Sequence, residues 1–158
     1  MENRTDKIIF LDIDGVLWTH DWAEKCYSEG KQTYMTLDPR CVDRLNSLLK
    51  QTGASVVLSS VWRLNHNWQQ LLTEKGVEAN WLGRTEFICT KSPTSDPTLH
   101  VERGHEIQKW LDDNKFEGGF VIIDDDSDMA HLYDRLVQTN GDVGLSDADC
   151  EKVKALFG

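Results

Sequence analysis

Two aspartates, separated by one residue, follow an apolar run near the start of the chain. Asp12 and Asp14 come after Ile8-Ile9-Phe10-Leu11, and Gly15 follows them. Such a run is typical of a strand buried on both faces, where a carboxylate is costly unless a cation or a proton compensates it. Residues two apart on a strand point to the same side, so the pair indicates a divalent metal or one strongly raised pKa. Gly15 allows a sharp turn and a close approach of the backbone to a ligand.

Polar side chains also follow two other apolar runs. Residues 54–58 lead into Ser59, and residues 120–123 lead into Asp124 and Asp125. In a parallel sheet, ligands bind beyond the carboxyl ends of the strands. We therefore expect these polar groups and the first aspartate pair to share one edge of a sheet.

The three apolar runs belong to an alternation of predicted strands and helices. Strands are predicted at residues 8–11, 54–58, 77–82, 120–123 and 136–138. Helices are predicted to begin at Asp38-Pro39, near Trp68, near Arg103 and at Ser146, with loops at residues 18–37 and 88–100. This alternation predicts an α/β protein, a Rossmann-like three-layer sandwich around a mostly parallel five-stranded sheet.

Length and composition limit the class of protein. A chain of 158 residues fits a single domain, residues 1–158, and its net charge of -10 argues against binding along an extended nucleic-acid duplex. No apolar stretch reaches membrane-spanning length, and the N-terminal residues lack the apolar core of a signal peptide. The four cysteines form no C-x-x-C pair, which is typical of free thiols in a reducing compartment. We expect a cytoplasmic protein without membrane contact; no feature predicts its oligomeric state.

Four segments together resemble the motifs of the haloacid dehalogenase (HAD) superfamily of aspartate-nucleophile phosphohydrolases. F-L-D-I-D-G-V-L is similar to its first motif, and V-V-L-S-S to its second, a strand that ends in Ser or Thr. Arg103 at a helix start resembles the basic third motif, and V-I-I-D-D-D-S-D the acidic fourth. The segments occur in the family's order and span about residues 7–128.

The resemblance implies a phosphatase mechanism with Mg²⁺ as cofactor. Asp12 would be the nucleophile that forms an aspartyl-phosphate, and Asp14 the general acid and then the base. Asp12, the backbone carbonyl of Asp14 and Asp125 would hold the metal, with Asp124 beside them. The family's fourth motif often has a second aspartate four residues after the first. Asp124 and Asp128 have this spacing, whereas Asp125 lies only three residues before Asp128, so the choice of metal ligand within this turn stays open. The alternative for the later aspartates of the turn is a cap on the next helix.

Three residues are predicted to bind the phosphate group. Ser59 would donate through its hydroxyl and its backbone N–H, Gly15 would let the phosphate approach the backbone, and Arg103 would neutralise its charge. A cation in the first turn of a helix opposes the macrodipole, which favours a functional reason for Arg103. Lys91 is the competing residue for the third motif.

Arg63, Trp62 and Trp18 are candidate substrate contacts. Arg63 lies one helical turn beyond Ser59 and could reach a second substrate charge; a surface salt bridge is the alternative. The two tryptophans follow the first two motifs and could stack on a base, or else pack the loop onto the sheet.

The distances between motifs are too short for a large cap domain. The resemblance is therefore to a capless HAD enzyme with a small flap at about residues 18–34, whose open site accepts phosphorylated macromolecular ends or side chains. The chain also resembles the small HAD domains of nucleic-acid repair proteins, which implies nucleotides or nucleic-acid 3′ ends as substrates. The alternatives are a phosphotransferase and a non-catalytic module that binds metal or phosphate.

Overall fold

A computed structural model of the chain describes residues 6–33, 36–88 and 102–158. Its centre is a five-stranded sheet in which every strand pair is parallel. The strands are β1 (Lys7–Leu11), β2 (Ser55–Leu58), β3 (Trp81–Arg84), β4 (Gly119–Asp124) and β5 (Leu136–Gln138). They lie in the order β3-β2-β1-β4-β5, so the first strand is central. The predicted α/β fold with five strands is confirmed, and no cap domain covers the sheet within the described residues.

Five α-helices and two short 3-10 helices accompany the strands in the described part of the chain, and the last helix follows the last strand. The α-helices are α1 (His20–Ser28), α2 (Pro39–Thr52), α3 (Trp68–Glu74), α4 (Arg103–Asp113) and α5 (Asp147–Phe157). The 3-10 helices are η1 (Val61–Leu64) and η2 (Ala130–Arg135). Among the described residues, no helix combines the length and apolarity that a membrane span requires.

The helix ends follow local rules that the sequence carries. Asp38 caps α2 by accepting from the Arg40 N–H, and Gly53 ends that helix in the left-handed region at φ +71°. Ser146 and Asp149 form a reciprocal capping box at the start of α5. The starts of α2 and α5 agree with the prediction.

The core lies on both faces of the sheet, because alternate residues of the central strand point in opposite directions. Ile9 and Leu11 pack with α2, α3 and α5 on one face, where Leu45, Leu72 and Val153 are buried. Ile8 and Phe10 pack with α4 on the other face. The result is the predicted three-layer sandwich.

Three element boundaries differ from the prediction. Helix α1 lies where a loop was expected; Thr19 caps it, but Cys26 is its only buried residue, so it has no apolar stripe to recognise. Strand β3 begins at Trp81 rather than at residue 77, because the Val77 N–H still bonds to the Leu72 carbonyl at the end of α3. Strand β1 ends at Leu11, so the strand rule for side-chain direction does not extend to the two aspartates beyond it. Most of the predicted loop at residues 88–100 lies outside the described residues.

Candidate active site

The carboxyl ends of the three central strands meet at one edge of the sheet. Asp12 follows β1, Ser59 follows β2, and Asp124 is the last residue of β4. Hydrogen bonds continue past the strands: the Asp12 N–H donates to the Ile123 carbonyl at 3.0 Å, and the Ser59 N–H to the Leu11 carbonyl at 2.9 Å. The predicted convergence of these polar residues is therefore confirmed.

Ser59 offers less to a phosphate than the sequence suggested. Its backbone N–H is already bonded to the Leu11 carbonyl, which leaves the hydroxyl as the group that could reach a phosphate. The hydroxyl is fully buried and has no hydrogen-bond partner among the residues that the structure describes. A buried hydroxyl without a partner is costly, which leaves this group ready to bond a ligand.

Three carboxylates form a cluster at this edge. One oxygen each from Asp12, Asp124 and Asp125 lies within 4.8 Å of the other two. Asp12 is 6% exposed and Asp124 is 1% exposed. Burial raises the pKa of Asp12 to about 6, although the Arg103 charge acts in the opposite direction. Burial, followed by the charge of Asp12, raises the pKa of Asp124 to about 9. Without another cation, the cluster therefore tends to retain a proton.

Arg103 neutralises part of this cluster. Its Nη1 lies 3.2 Å from Asp12 Oδ1 and 3.4 Å from Asp124 Oδ2. The position of Arg103 at the first residue of α4 agrees with the prediction for the third motif. Its rival, Lys91, lies outside the described residues.

Asp128 holds the start of the helix that carries Arg103. Its Oδ2 accepts from the Arg103 N–H at 3.3 Å, and its carbonyl accepts from the Gly104 N–H at 3.1 Å. A Cβ on Gly104 would lie 1.9 Å from the Met129 carbonyl oxygen, so only glycine permits this approach. Asp128 was predicted to cap the helix that follows it in the chain. It does cap a helix, but that helix is α4, which precedes it, so this part of the prediction was wrong.

The cluster fits a small hard cation such as Mg²⁺. All three side chains offer carboxylate oxygens, and Asp124 Oδ2 is buried and, apart from its ion pair with Arg103, makes no hydrogen bond among the described residues. The Asp14 side chain is not in the cluster, so the predicted contribution of that residue rests on its backbone carbonyl. Asp12, Asp124 and Asp125 are the side chains that would hold the ion.

Gly15 makes room for the third carboxylate. Its φ is +82°, and a Cβ at this position would lie 2.2 Å from Asp125 Oδ2. Gly141 borders the same carboxylate from the other side, at 3.3 Å from a Cβ built there. At position 15, glycine is therefore required both by the backbone conformation and by the packing of Asp125. A direct phosphate contact of Gly15 stays a prediction.

Asp14, the predicted general acid, lies on the exposed side of the site. Its Oδ1 accepts a hydrogen bond from the indole Nε1 of Trp62 at 3.2 Å. Trp62 is 5% exposed and belongs to the core, which supports the packing alternative over a stacking role for this ring. Trp18 is partly buried and donates to the Thr33 carbonyl at 3.1 Å, so it too ties a loop down.

Arg63 points into the protein instead of toward solvent. It is 3% exposed, and its Nη2 lies 3.0 and 3.1 Å from the two carboxylate oxygens of Glu106, a residue of α4. Its Nη1 donates to the Ser59 carbonyl at 2.9 Å. The alternative of a surface salt bridge is therefore wrong, and a substrate contact would compete with these buried partners.

Glu106 was missed in the sequence. Glu106 joins its own helix, α4, to η1 and to the segment after β3. It forms an ion pair with Arg63, and its Oε2 also accepts from the Ile88 N–H at 2.9 Å. An acidic residue beside Ile107 on the buried face of a helix was the available signal. Its partner lies 43 positions away, which spacing cannot reveal.

Comparison with known families agrees with this geometry. The family described as "HAD domain in Swiss Army Knife RNA repair proteins" matches residues 8–150, nearly the whole chain. No match was found among curated proteins or among solved structures. The matched residues include the acidic cluster, Ser59 and Arg103. The chain is a capless α/β domain that carries these motifs in the family's order, and the match covers most of its length. It therefore belongs to the family described as HAD domain in Swiss Army Knife RNA repair proteins.

Proposed function

We propose that this chain is a Mg²⁺-dependent phosphomonoester hydrolase that acts through an aspartyl-phosphate on phosphorylated nucleic-acid ends. The observation that carries the proposal is the contact between Asp12 and Arg103. A buried carboxylate held 3.2 Å from a guanidinium, with two further carboxylates beside it, combines a nucleophile, an anion site and a cation site. A phosphatase that uses an aspartate nucleophile needs these three elements together.

In the first step, a carboxylate oxygen of Asp12 attacks phosphorus. The bond between phosphorus and the leaving oxygen breaks, and that oxygen departs with its electron pair and takes a proton from Asp14. In the second step, Asp14 removes a proton from water, and the water oxygen attacks phosphorus. The bond from phosphorus to Asp12 then breaks, which releases inorganic phosphate and restores the Asp12 carboxylate.

The remaining residues lower the charge repulsion in both steps. Mg²⁺, bound by Asp12, Asp124 and Asp125, would supply the positive charge that lets an anionic carboxylate approach an anionic phosphate. Arg103 would pair with a phosphate oxygen at the moment Asp12 bonds to phosphorus. The unpartnered Ser59 hydroxyl would donate to another phosphate oxygen.

Two observations support a nucleic-acid end as the substrate. The matched family is described by its occurrence in RNA repair proteins. The net charge of -10 disfavours binding along a duplex, whose affinity depends on many neutralised phosphates. A single phosphorylated terminus needs only one anion site, which Arg103 and its neighbours provide.

Phosphate release from a panel of substrates tests the proposal. The panel contains RNA oligonucleotides with a 3′- or a 5′-phosphate, their DNA counterparts, nucleoside monophosphates, an aryl phosphate and a phosphopeptide. Each reaction is run with Mg²⁺ and with EDTA. Asp12→Asn is the inactive variant, and Asp134→Asn, an exposed aspartate on η2, is the matched control.

We expect Mg²⁺-dependent release from RNA ends that Asp12→Asn abolishes and Asp134→Asn retains. Turnover in EDTA or in Asp12→Asn would contradict the mechanism. Release confined to the phosphopeptide would contradict the substrate class alone. No release from any substrate, with Mg²⁺ still bound, would favour a phosphotransferase or a binding module.

A further inference from the structure

We infer that Trp62 is a positioning residue that orients the Asp14 carboxylate toward the leaving group. This inference rests on the proposed function, because it concerns the acid that protonates the leaving oxygen. Through Asp14, this buried tryptophan would help the enzyme act on phosphate esters whose leaving groups are poor.

The contact joins a buried donor to an exposed acceptor. The Trp62 Nε1 lies 3.2 Å from Asp14 Oδ1, and the indole ring is buried while Asp14 is exposed. An exposed aspartate alone samples several side-chain rotamers. A hydrogen bond from a buried ring favours the rotamer in which Oδ1 faces the indole N–H.

The segment around Trp62 explains why its ring is fixed. Ser60 Oγ accepts from the Trp62 N–H at 3.2 Å, which caps η1 at its first turn. The Trp62 carbonyl accepts from the Asn65 N–H at 3.1 Å. The next residue, Arg63, is bound on both sides by Ser59 and Glu106. The backbone that carries the indole is therefore held before and after it.

The direction of this hydrogen bond determines which oxygen acts. An indole N–H only donates, so it occupies a lone pair of Oδ1 and cannot receive a proton from the acid. Oδ2 is left as the oxygen that carries the proton to the leaving group. Loss of the indole N–H frees the carboxylate to rotate, and the proton is then less often in place when the ester bond breaks.

Comparing substrates with different leaving groups distinguishes this positioning role of Trp62 from a purely structural role. A sugar hydroxyl is a poor leaving group and needs the proton as the bond breaks, whereas dinitrophenolate is stable as an anion and does not. A general loss of folding or of phosphate binding affects esters of both kinds equally. A loss of acid positioning slows the first step only for the alkyl ester. The second step is common to both esters, so the comparison uses kcat/KM, which reports formation of the aspartyl-phosphate.

The test compares Trp62→Phe with wild type on the best nucleotide-type substrate of the panel and on 2,4-dinitrophenyl phosphate. Loss of one hydrogen bond to a carboxylate predicts a kcat/KM roughly tenfold lower for the alkyl ester and nearly unchanged for the aryl ester. Trp68→Phe is the matched control, since Trp68 is a buried tryptophan of α3 that packs on Trp81. It should affect both substrates alike.

A second measurement examines the hydrogen bond without relying on activity. The chain has six tryptophans, so the ¹H–¹⁵N spectrum holds six indole N–H signals, and Trp62→Phe identifies the one from Trp62. Asp14→Ala should shift that signal more than the signal of Trp68. An unmoved signal, or an equal loss on both esters in Trp62→Phe, would overturn the inference while leaving the phosphatase proposal intact. Wild-type protein inactive on both esters would overturn both.

Discussion

The Arg103 guanidinium and the Asp12 carboxylate form the central contact of the site, with 3.2 Å between Nη1 and Oδ1. The two residues lie 91 positions apart in sequence, and the parallel sheet brings them together. This pair places the proposed nucleophile beside the group that would bind its substrate.

Arg103→Ala should weaken phosphate binding by roughly ten- to a hundredfold, because a charge-assisted hydrogen bond contributes about 1.5–3 kcal/mol. Competitive inhibition by inorganic phosphate measures this directly. Lys91→Ala is the comparison, since Lys91 is the competing basic residue. A larger loss in Lys91→Ala would transfer the third-motif role to that residue.

The metal-free protein should lose stability as the pH rises from about 4 to about 9. Burial raises the pKa of Asp12 to about 6 and that of Asp124 to about 9, both above the usual value of 3.8. The folded state therefore binds more protons than the unfolded state, and stability falls with pH through this range. Thermal unfolding in EDTA at pH 5, 7 and 9 measures the slope.

Asp124→Asn is the control for this pH dependence. An amide does not titrate, so the variant should show a shallower decrease in Tm between pH 5 and 9. Mg²⁺ should stabilise the wild type more at high pH, because the ion replaces the retained proton. A wild-type Tm that rises over this range would contradict the assignment of the cluster as the titrating group.

Breaking the ion pair between Arg63 and Glu106 should cost about 3–5 kcal/mol, because either residue alone leaves a buried charge without a partner. The double variant Arg63→Met/Glu106→Leu should cost much less than the sum of the two single changes. Urea denaturation measures the free energy of unfolding. Glu78→Gln, which removes the exposed pair with Lys50, should change it by less than about 1 kcal/mol. Additive single changes would show that the pair is not coupled.

Gly15→Ala should abolish Mg²⁺ binding as well as destabilise the fold. The new Cβ would meet the Asp125 carboxylate at 2.2 Å, in addition to the strain of φ +82°. Gly53→Ala is the matched control, since Gly53 has a similar φ of +71° and nothing within 4 Å of a built Cβ. Calorimetric titration with Mg²⁺ should show binding in Gly53→Ala and none in Gly15→Ala. Equal affinities would mean that Asp125 is not a ligand.

The sequence predicted those parts of the site that depend on strand ends and local caps. Asp12, Ser59 and Asp124 follow apolar runs, and parallel pairing alone brings such ends to one edge. The boundaries at Asp38 and Ser146 depend on neighbouring residues and were also predictable.

The remaining contacts depend on tertiary partners that no local pattern encodes. Glu106 and Arg63 are polar residues that are buried only because each satisfies the other. Asp128 caps a helix that precedes it by 25 positions, so its partner could not be found from spacing. Helix α1 escaped prediction because it buries too little apolar surface to leave a periodic pattern.

Two of the hydrogen bonds that α4 makes to neighbouring segments have a consequence for how the chain can be altered. Glu106 accepts from the Ile88 N–H, and Asp128 accepts from the N–H of Arg103, so α4 is attached both to the segment after β3 and to the turn after β4. Replacing either carboxylate, Glu106 or Asp128, would release one of these attachments and let the guanidinium of Arg103 drift from the nucleophile, although neither residue touches the proposed substrate.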